Sequence, residues 1–320
     1  MTSVDIPDIV NFFKEAGFVE NPPALITFHG GEPFSYVKIM DRVMDELELL
    51  IPAKTFSYYI QTNGSQMLQH AWFFEKWGPR LEVSISYDFL FQELNRSKFE
   101  IFETLQMMHT NGVQGIQFQY VMPLDNPKVF SLQALKAITD VCFKGGVKRL
   151  NLIPLRHIRG KDKFDVLIDR IDLPQFFDAF IKFIQMLYVV GLDVVVDGHG
   201  QSFDKHYFDD HKQLVLSPDG YLYPEFDFLE YKRLETTVGH WRSPVSISRS
   251  KTESEEDAML KPVCRTCPSR AECGLKYLHG MFDTEPKSDK CVQFYQMMMV
   301  AIQHAQKLKQ KPNLLHWVGI

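Results

Sequence analysis

Apolar residues recur along the first 200 positions with two periods that take turns. Helical spacing over Ser3–Gly17, carried by Ile9, Val10, Phe12 and Phe13, gives way after Asn21-Pro22-Pro23 to the apolar run Ala24–His29. That run is too short for a helix and closes on Gly30-Gly31, which predicts a buried strand. Val37–Leu50 returns to helical spacing, and Thr55–Thr62 is rich in β-formers and stops at Asn63-Gly64. The same alternation predicts helices over Met67–Trp77, Arg96–Asn111, Leu132–Lys144 and Pro174–Val190, and strands over Leu81–Ser86, Gly115–Met122, Arg149–Pro154 and Asp193–Val196. Regular alternation of strand and helix implies an α/β fold with a parallel sheet and right-handed crossovers, either a barrel or a doubly wound sheet.

In such sheets the chemistry sits on the loops that follow the carboxyl ends of the strands. Three polar segments stand there: Gly30-Gly31-Glu32-Pro33, Gln61-Thr62-Asn63-Gly64 and Ser84-Ile85-Ser86-Tyr87-Asp88. A Gly-Gly pair lets a backbone approach a ligand closely, Glu32 is placed to fix the turn, and Pro33 can begin the next helix. Beyond residue 200 the rhythm breaks. Leu214–Tyr223 reads as a hairpin turning on Asp219-Gly220, Ser246–Asp257 as a polar loop, and Phe294–Gln310 as a closing helix with an apolar stripe.

Composition narrows the function classes. With 320 residues, 45% of them hydrophobic and 23% charged, the chain can bury a sizeable core. Its formal net charge is −5 with Lys and Arg scattered, which argues against nucleic acid and against an anionic membrane surface. The longest apolar stretch, Phe176–Val190, is interrupted by Asp178, Lys182 and Gln185, so it suits a buried helix and no membrane span is expected. The first residues read as a helix start without a basic or apolar leader, and the expected location is the cytoplasm.

Of five cysteines, Cys142 stands alone in an apolar helical stretch and is expected in the core, whereas Cys264, Cys267, Cys273 and Cys291 gather near the C-terminus. In a reducing compartment such a cluster reads as a metal site before a disulfide framework. Four thiolates suit tetrahedral zinc or an iron–sulfur cluster equally well, and spacing alone leaves both open.

Taken together, Ile26-Thr-Phe-His-Gly-Gly-Glu-Pro33, Gln61-Thr-Asn-Gly64 and Val83-Ser-Ile-Ser-Tyr-Asp88 resemble strand-end segments of radical S-adenosylmethionine (radical SAM) enzymes. Cys264-x2-Cys267-x5-Cys273 with Cys291 resembles part of the SPASM auxiliary domain of peptide and protein maturases, and Cys273–Gly280 resembles the equivalent stretch of cyclophane-forming maturases. The resemblance implies a partial (β/α) barrel with parallel strands over residues 1–200, then a small loop-rich cysteine metal domain and a C-terminal helix over 201–320. It implies S-adenosyl-L-methionine held by Gly30, Gly31, Glu32, Pro33, Thr62, Asn63, Ser86 and Asp88. At Asp88 the pattern departs, since the family often continues with Gly where this chain has Phe89. It further implies an auxiliary [4Fe–4S] cluster, with zinc as the alternative, on Cys264, Cys267, Cys273 and Cys291.

The function implied is oxidative modification or cross-linking of a peptide or protein side chain. The alternative is a catalytically inactive scaffold of the same build that binds a peptide or a partner subunit. The family's Cys-x3-Cys-x2-Cys loop, which holds the catalytic cluster, does not occur in this sequence; by the resemblance it and the first strand would precede Met1. A truncation, a second chain that carries the loop, and loss of the chemistry are the three explanations. An unpaired edge at Ala24–His29 would follow, and proteins normally cover or pair such an edge. Hydrogen exchange checks this: protection of the amides of residues 24–29 is expected from a partner chain, a dimer contact or a local rearrangement, and rapid exchange in a stable monomer would contradict it.

Overall fold

The computed structural model describes residues 5–15, 25–28, 31–50, 56–92, 99–123, 126–155, 171–196, 215–217, 219–223, 239–242, 262–266 and 288–309. The chain divides into two compact units, one of residues 1–25, 38–56 and 199–286, the other of 26–37, 57–198 and 287–320.

In the first unit, helix α1 (Ile6–Glu15) buries Ile6, Ile9 and Val10, and α2 (Val37–Leu50) buries Met40, Met44 and Leu47, each at helical spacing. The expected hairpin belongs to a three-stranded antiparallel sheet of β7 (Val215–Leu216), β8 (Tyr221–Tyr223) and β9 (Gly239–His240). Val215 pairs with Tyr223 and Tyr221 with His240. Arg242 pairs with Asp5, and the short helix α7 spans Pro262–Arg265.

The second unit is built on one six-stranded sheet in the order β1-β2-β3-β4-β5-β6. Its strands are β1 (Leu25–Phe28), β2 (Ser57–Thr62), β3 (Leu81–Ser86), β4 (Gly115–Pro123), β5 (Arg149–Leu155) and β6 (Asp193–Val196). Pairing from β2 to β6 is parallel throughout. A strictly sequential order has no point where the winding reverses, so of the two arrangements the alternation allowed, the barrel-type winding is the one present.

Between the strands run α3 (Ala71–Trp77), α4 (Ile101–Thr110), α5 (Leu132–Lys144) and α6 (Leu173–Val189). Local chemistry sets their starts. Ser131 Oγ accepts from Ala134 N at 3.2 Å to open α5, and Asp172 Oδ1 accepts from Gln175 N at 3.1 Å to open α6, with Pro174 in its first turn. Leu173, Phe176, Phe177, Phe180, Phe183, Ile184 and Leu187 give α6 a buried stripe at helical spacing. Against it lies the C-terminal helix α8 (Ser288–Lys309), whose Phe294 ring meets Phe177 edge-on at 5.5 Å and whose Lys309 bonds Asp193 at 2.8 Å. Cys142 is fully buried on α5, and desolvation pushes its thiol up to about 12, which fits the core role expected of it.

Register assigns the sheet two chemically different faces. Tyr58, Ile60, Leu81, Val83, Ile85, Phe118, Tyr120, Leu150, Leu152, Val194 and Val196 form one buried, almost wholly apolar face. The alternate positions bring Gln61, Ser84 and Gln117 into line, and Ser86, Gln119 and Asn151 one step further on. At the edge, Leu25 is 59% exposed although β1 reads Leu-Ile-Thr-Phe. Strands of parallel sheets are ordinarily covered on both faces.

The boundaries differ from the sequence reading in informative places. The helix expected from Met67 is a 3-10 turn, Leu68–His70, followed by α3, because His70 leaves helical geometry with φ −119. The closing helix begins at Ser288, six residues before the apolar stripe starts at Phe294. Polar opening turns carry no periodic signal. Helix packing leaves no room at Gly78, where an added Cβ would lie 2.0 Å from the carbonyl oxygen of Asn111. Gly78→Ala is therefore expected to lower stability by about 1–3 kcal/mol. A reduced urea midpoint with an unchanged slope checks it.

Candidate functional site

Loops after β1, β2 and β3 converge at the carboxyl end of the sheet, and Glu32 holds the first two together. It caps the 3-10 turn Pro33–Tyr36, with Oε1 accepting from Phe34 N at 3.1 Å. The same oxygen accepts from Thr62 Oγ1 at 2.7 Å, while Oε2 accepts from Asn63 N at 2.9 Å. Thr62 is 2% exposed and its Oγ1 also accepts from Gly64 N at 3.0 Å. Asn63 turns the chain onward, its Oδ1 accepting from Ser65 N at 2.9 Å and from Ser65 Oγ at 2.6 Å. Glu32, Thr62 and Asn63 thus form one cluster whose hydrogen-bonding capacity is spent largely on shaping the loops. Pro33 is buried beneath them, and Gly31 takes φ +49 with open space where a side chain would project.

Gly64 cannot be replaced without strain on two counts. Its φ is +82, and a Cβ there would meet the Phe99 ring at 2.5 Å.

Ser86 belongs to a different cluster, on the polar face. Ser86 Oγ donates to Gln119 Oε1 at 3.0 Å, and Gln61 Nε2 donates to the same oxygen at 2.5 Å. One strand step earlier Gln117 Nε2 donates to Tyr59 OH at 2.9 Å. The fully buried Ser84 hydroxyl, in register with Gln61, has no hydrogen-bond partner among the described residues. Gln61, Ser84, Ser86, Gln117, Gln119 and Asn151 are uncharged, while Glu82 and Arg149 lie on the same face toward the amino ends of their strands.

Asp88 is 4% exposed, its amide donates to Gln92 Oε1 at 2.8 Å, and its carboxylate acts on Tyr120, whose phenol is pushed above its usual range first by burial and then by that charge. Phe89, where the resembling pattern has Gly, adopts φ +47, a left-handed conformation that costs a side-chain-bearing residue about 1–2 kcal/mol. Its ring meets Tyr87, Phe118 and Tyr120 edge-on at 5.1, 5.3 and 5.4 Å. Such contacts contribute about 0.5–1.5 kcal/mol each, enough to offset the strain.

Gly30, Cys267 and Cys273 lie outside the described residues, as do the side chains of Cys264 in α7 and Cys291 in α8. Among the described residues no group of three or more His, Cys, Asp or Glu side chains is placed to hold a metal, and no helix is long and apolar enough to cross a membrane.

Gln119 and Asn151 went unnoticed in the sequence, although a signal was there. In β4, Gln117, Gln119 and Val121 alternate with Phe118, Tyr120 and Met122, whereas a strand covered on both faces should read as continuously apolar.

Among the described residues the larger sheet is thus wound in chain order and parallel from β2 to β6, with polar loops at its carboxyl end. No protein-family model matches the chain, and no curated protein sequence matches it. A solved structure described as native anSMEcpe with bound AdoMet and Kp18Cys peptide is similar in fold, with a TM-score of 0.64 at 15% identity over 97% of this chain and 91% of that one.

The double duty of Glu32 generates a prediction. Glu32→Ala removes three hydrogen bonds to a carboxylate and strands the buried Thr62 hydroxyl, an expected loss of about 2–4 kcal/mol. Glu32→Gln, which keeps one carbonyl acceptor, is expected to lose less. Urea denaturation of the two variants checks the order.

Proposed function

We propose that this chain is the body of a radical SAM-type protein that modifies or cross-links a side chain of a peptide or protein. The observation that carries the reading is the uncharged hydrogen-bonding cluster of Gln61, Ser86 and Gln119, set beside the Glu32-braced loops at the carboxyl end of a sheet of this fold. The peptide and AdoMet bound by the structurally similar protein support the same reading.

The residues present fit S-adenosylmethionine. Its ribose carries hydroxyls that both donate and accept, which the Ser86–Gln119 pair can match, and open space at Gly31 leaves the loop backbone approachable. Gly30, Gly31, Glu32 and Pro33 would supply that backbone and its brace; Thr62 and Asn63 hold the brace; Ser86 would face the ligand. The cofactor supplies hydrogen-atom abstraction once it is reduced at an iron–sulfur cluster. No Cys-x3-Cys-x2-Cys run occurs in the 320 residues, so that cluster needs thiolates from beyond them and no step is derived through it. In this reading residues 1–200 form the barrel and 201–320 the auxiliary domain, where Cys264, Cys267, Cys273 and Cys291 hold a [4Fe–4S] cluster.

Metal and cofactor measurements test this together. Anaerobically purified protein is expected to carry about four irons with matching sulfide, lost in Cys267→Ala. It is also expected to retain S-adenosylmethionine in equilibrium dialysis. About one zinc without iron, together with no retention of the cofactor, would replace the reading by a non-catalytic scaffold with a structural metal.

A further inference from the structure

We propose that α8 carries a self-pairing face, through which two copies of this chain associate with their α8 helices antiparallel and Val300 at the two-fold axis. The inference stands apart from the S-adenosylmethionine reading and concerns the outer surface of the second unit.

Only one side of α8 is buried. Phe294, Met298, Ala301, Ile302 and Ala305 face the interior, and His304 on the flank lies 3.0 Å from Gln185 of α6. The opposite side shows Gln293, Gln296, Val300, Gln303 and Lys307 in steps of three and four, which is one stripe of a helix. Val300 is 55% exposed, and none of the three glutamines bonds to another described residue. Between Lys290 and Lys307 the helix holds no Asp, Glu, Lys or Arg. Its neighbours differ: α5 exposes Lys136 and Asp140 at mid-helix, and α6 exposes Asp178 and Lys182. Loss of charge from an exposed helix face, with an aliphatic side chain at its middle, marks the core of an interface.

What covers the stripe follows from its pattern. A charged partner would find no counter-ion across these turns. A glutamine side chain both donates and accepts, so a row of glutamines complements a second such row. Symmetry then selects the direction. With Val300 on a two-fold axis, antiparallel copies set Gln296 against Gln303 and Gln293 against Lys307, whose ammonium donates to the glutamine carbonyl. A parallel pair would instead set Lys307 against Lys307, a like-charge contact that opposes association. The helix has 22 residues and is about 33 Å long. One pair of such helices buries less than the roughly 1,200–2,000 Å² of a stable interface, so the association is weak and concentration-dependent.

Sedimentation velocity of the anaerobically purified full chain, from about 1 to 100 µM, tests this. Wild type is expected to pass from monomer to dimer across that range. Val300→Glu sets two carboxylates against each other at the axis and is expected to weaken the dimer about tenfold or more. Its thermal melt is expected to match wild type, because Val300 is more than half exposed. The double variant Gln296→Glu with Gln303→Lys reads the direction. In the antiparallel arrangement each new carboxylate meets a new ammonium of the copy, so this variant is expected to dimerise more tightly at low salt and to lose the gain at high salt. Parallel helices would bring like charges together and weaken it. A wild type that stays monomeric at the highest concentration, a dimer indifferent to Val300→Glu, or a double variant that associates no better than wild type overturns the inference. None of these outcomes bears on cofactor binding, so the S-adenosylmethionine reading stands or falls separately.

Discussion

The parallel register of β2 through β6 decides which side chains share a face, and the placement of every candidate group in the second unit follows from it. A slip of one residue would turn Ile85 and Phe118 toward the position now held by Ser86 and Gln119. What prevents the slip is not the polar network. Each large apolar side chain buried on the opposite face contributes about 1.5–3 kcal/mol, whereas a hydrogen bond contributes a net of about 1 kcal/mol. Tyr58, Ile60, Val83, Ile85, Phe118, Leu150 and Leu152 are all fully buried, so the apolar face holds the register and the polar face inherits its geometry.

The loops above the strand ends obey a related economy. Glu32 gathers three donors from two loops, and Gly64 allows the second loop to close over Phe99. At the third strand the chain takes a strained turn at Phe89, stabilised by a ring cluster instead of relieved by glycine. A glycine there would remove the strain and the three ring contacts together. The departure from the resembling pattern at this position therefore keeps the backbone conformation and changes how it is stabilised.

Much of this architecture was legible in the chain. The strands of the second unit were visible because short β-rich runs alternate with helical spacing and end on turn residues, and the hairpin on Asp219-Gly220 announced itself the same way. The 3-10 break at His70 and the polar first turns of α8 were not, since neither disturbs hydrophobic periodicity. At the site, Glu32, Thr62, Asn63 and Ser86 could be found as polar residues at strand ends. Their division into two clusters could not, because it depends on which face a residue meets after pairing. Gln119 is the clearest case: glutamine is unremarkable in a sequence, and its meaning arises only when β3 lies beside β4 and Ser86 comes within 3.0 Å.

The same strand ends thus serve two purposes that one face could not combine. Groups that brace loops must have their hydrogen bonds internally satisfied, because an unpaired buried carboxylate is far more costly than an unpaired amide; Glu32 meets that demand with Thr62 and with the backbone of Phe34 and Asn63. Groups that read a ligand must keep capacity unspent, and only neutral ones can do so at low cost while nearly buried. Ser86 and Gln119 are neutral and nearly buried, and they bond to each other. A charged residue in either place would need a counter-ion and would trade direction for strength. In the proposed reading, keeping the satisfied carboxylate apart from the neutral Ser86–Gln119 pair lets the loops stay braced while the pair meets a ligand.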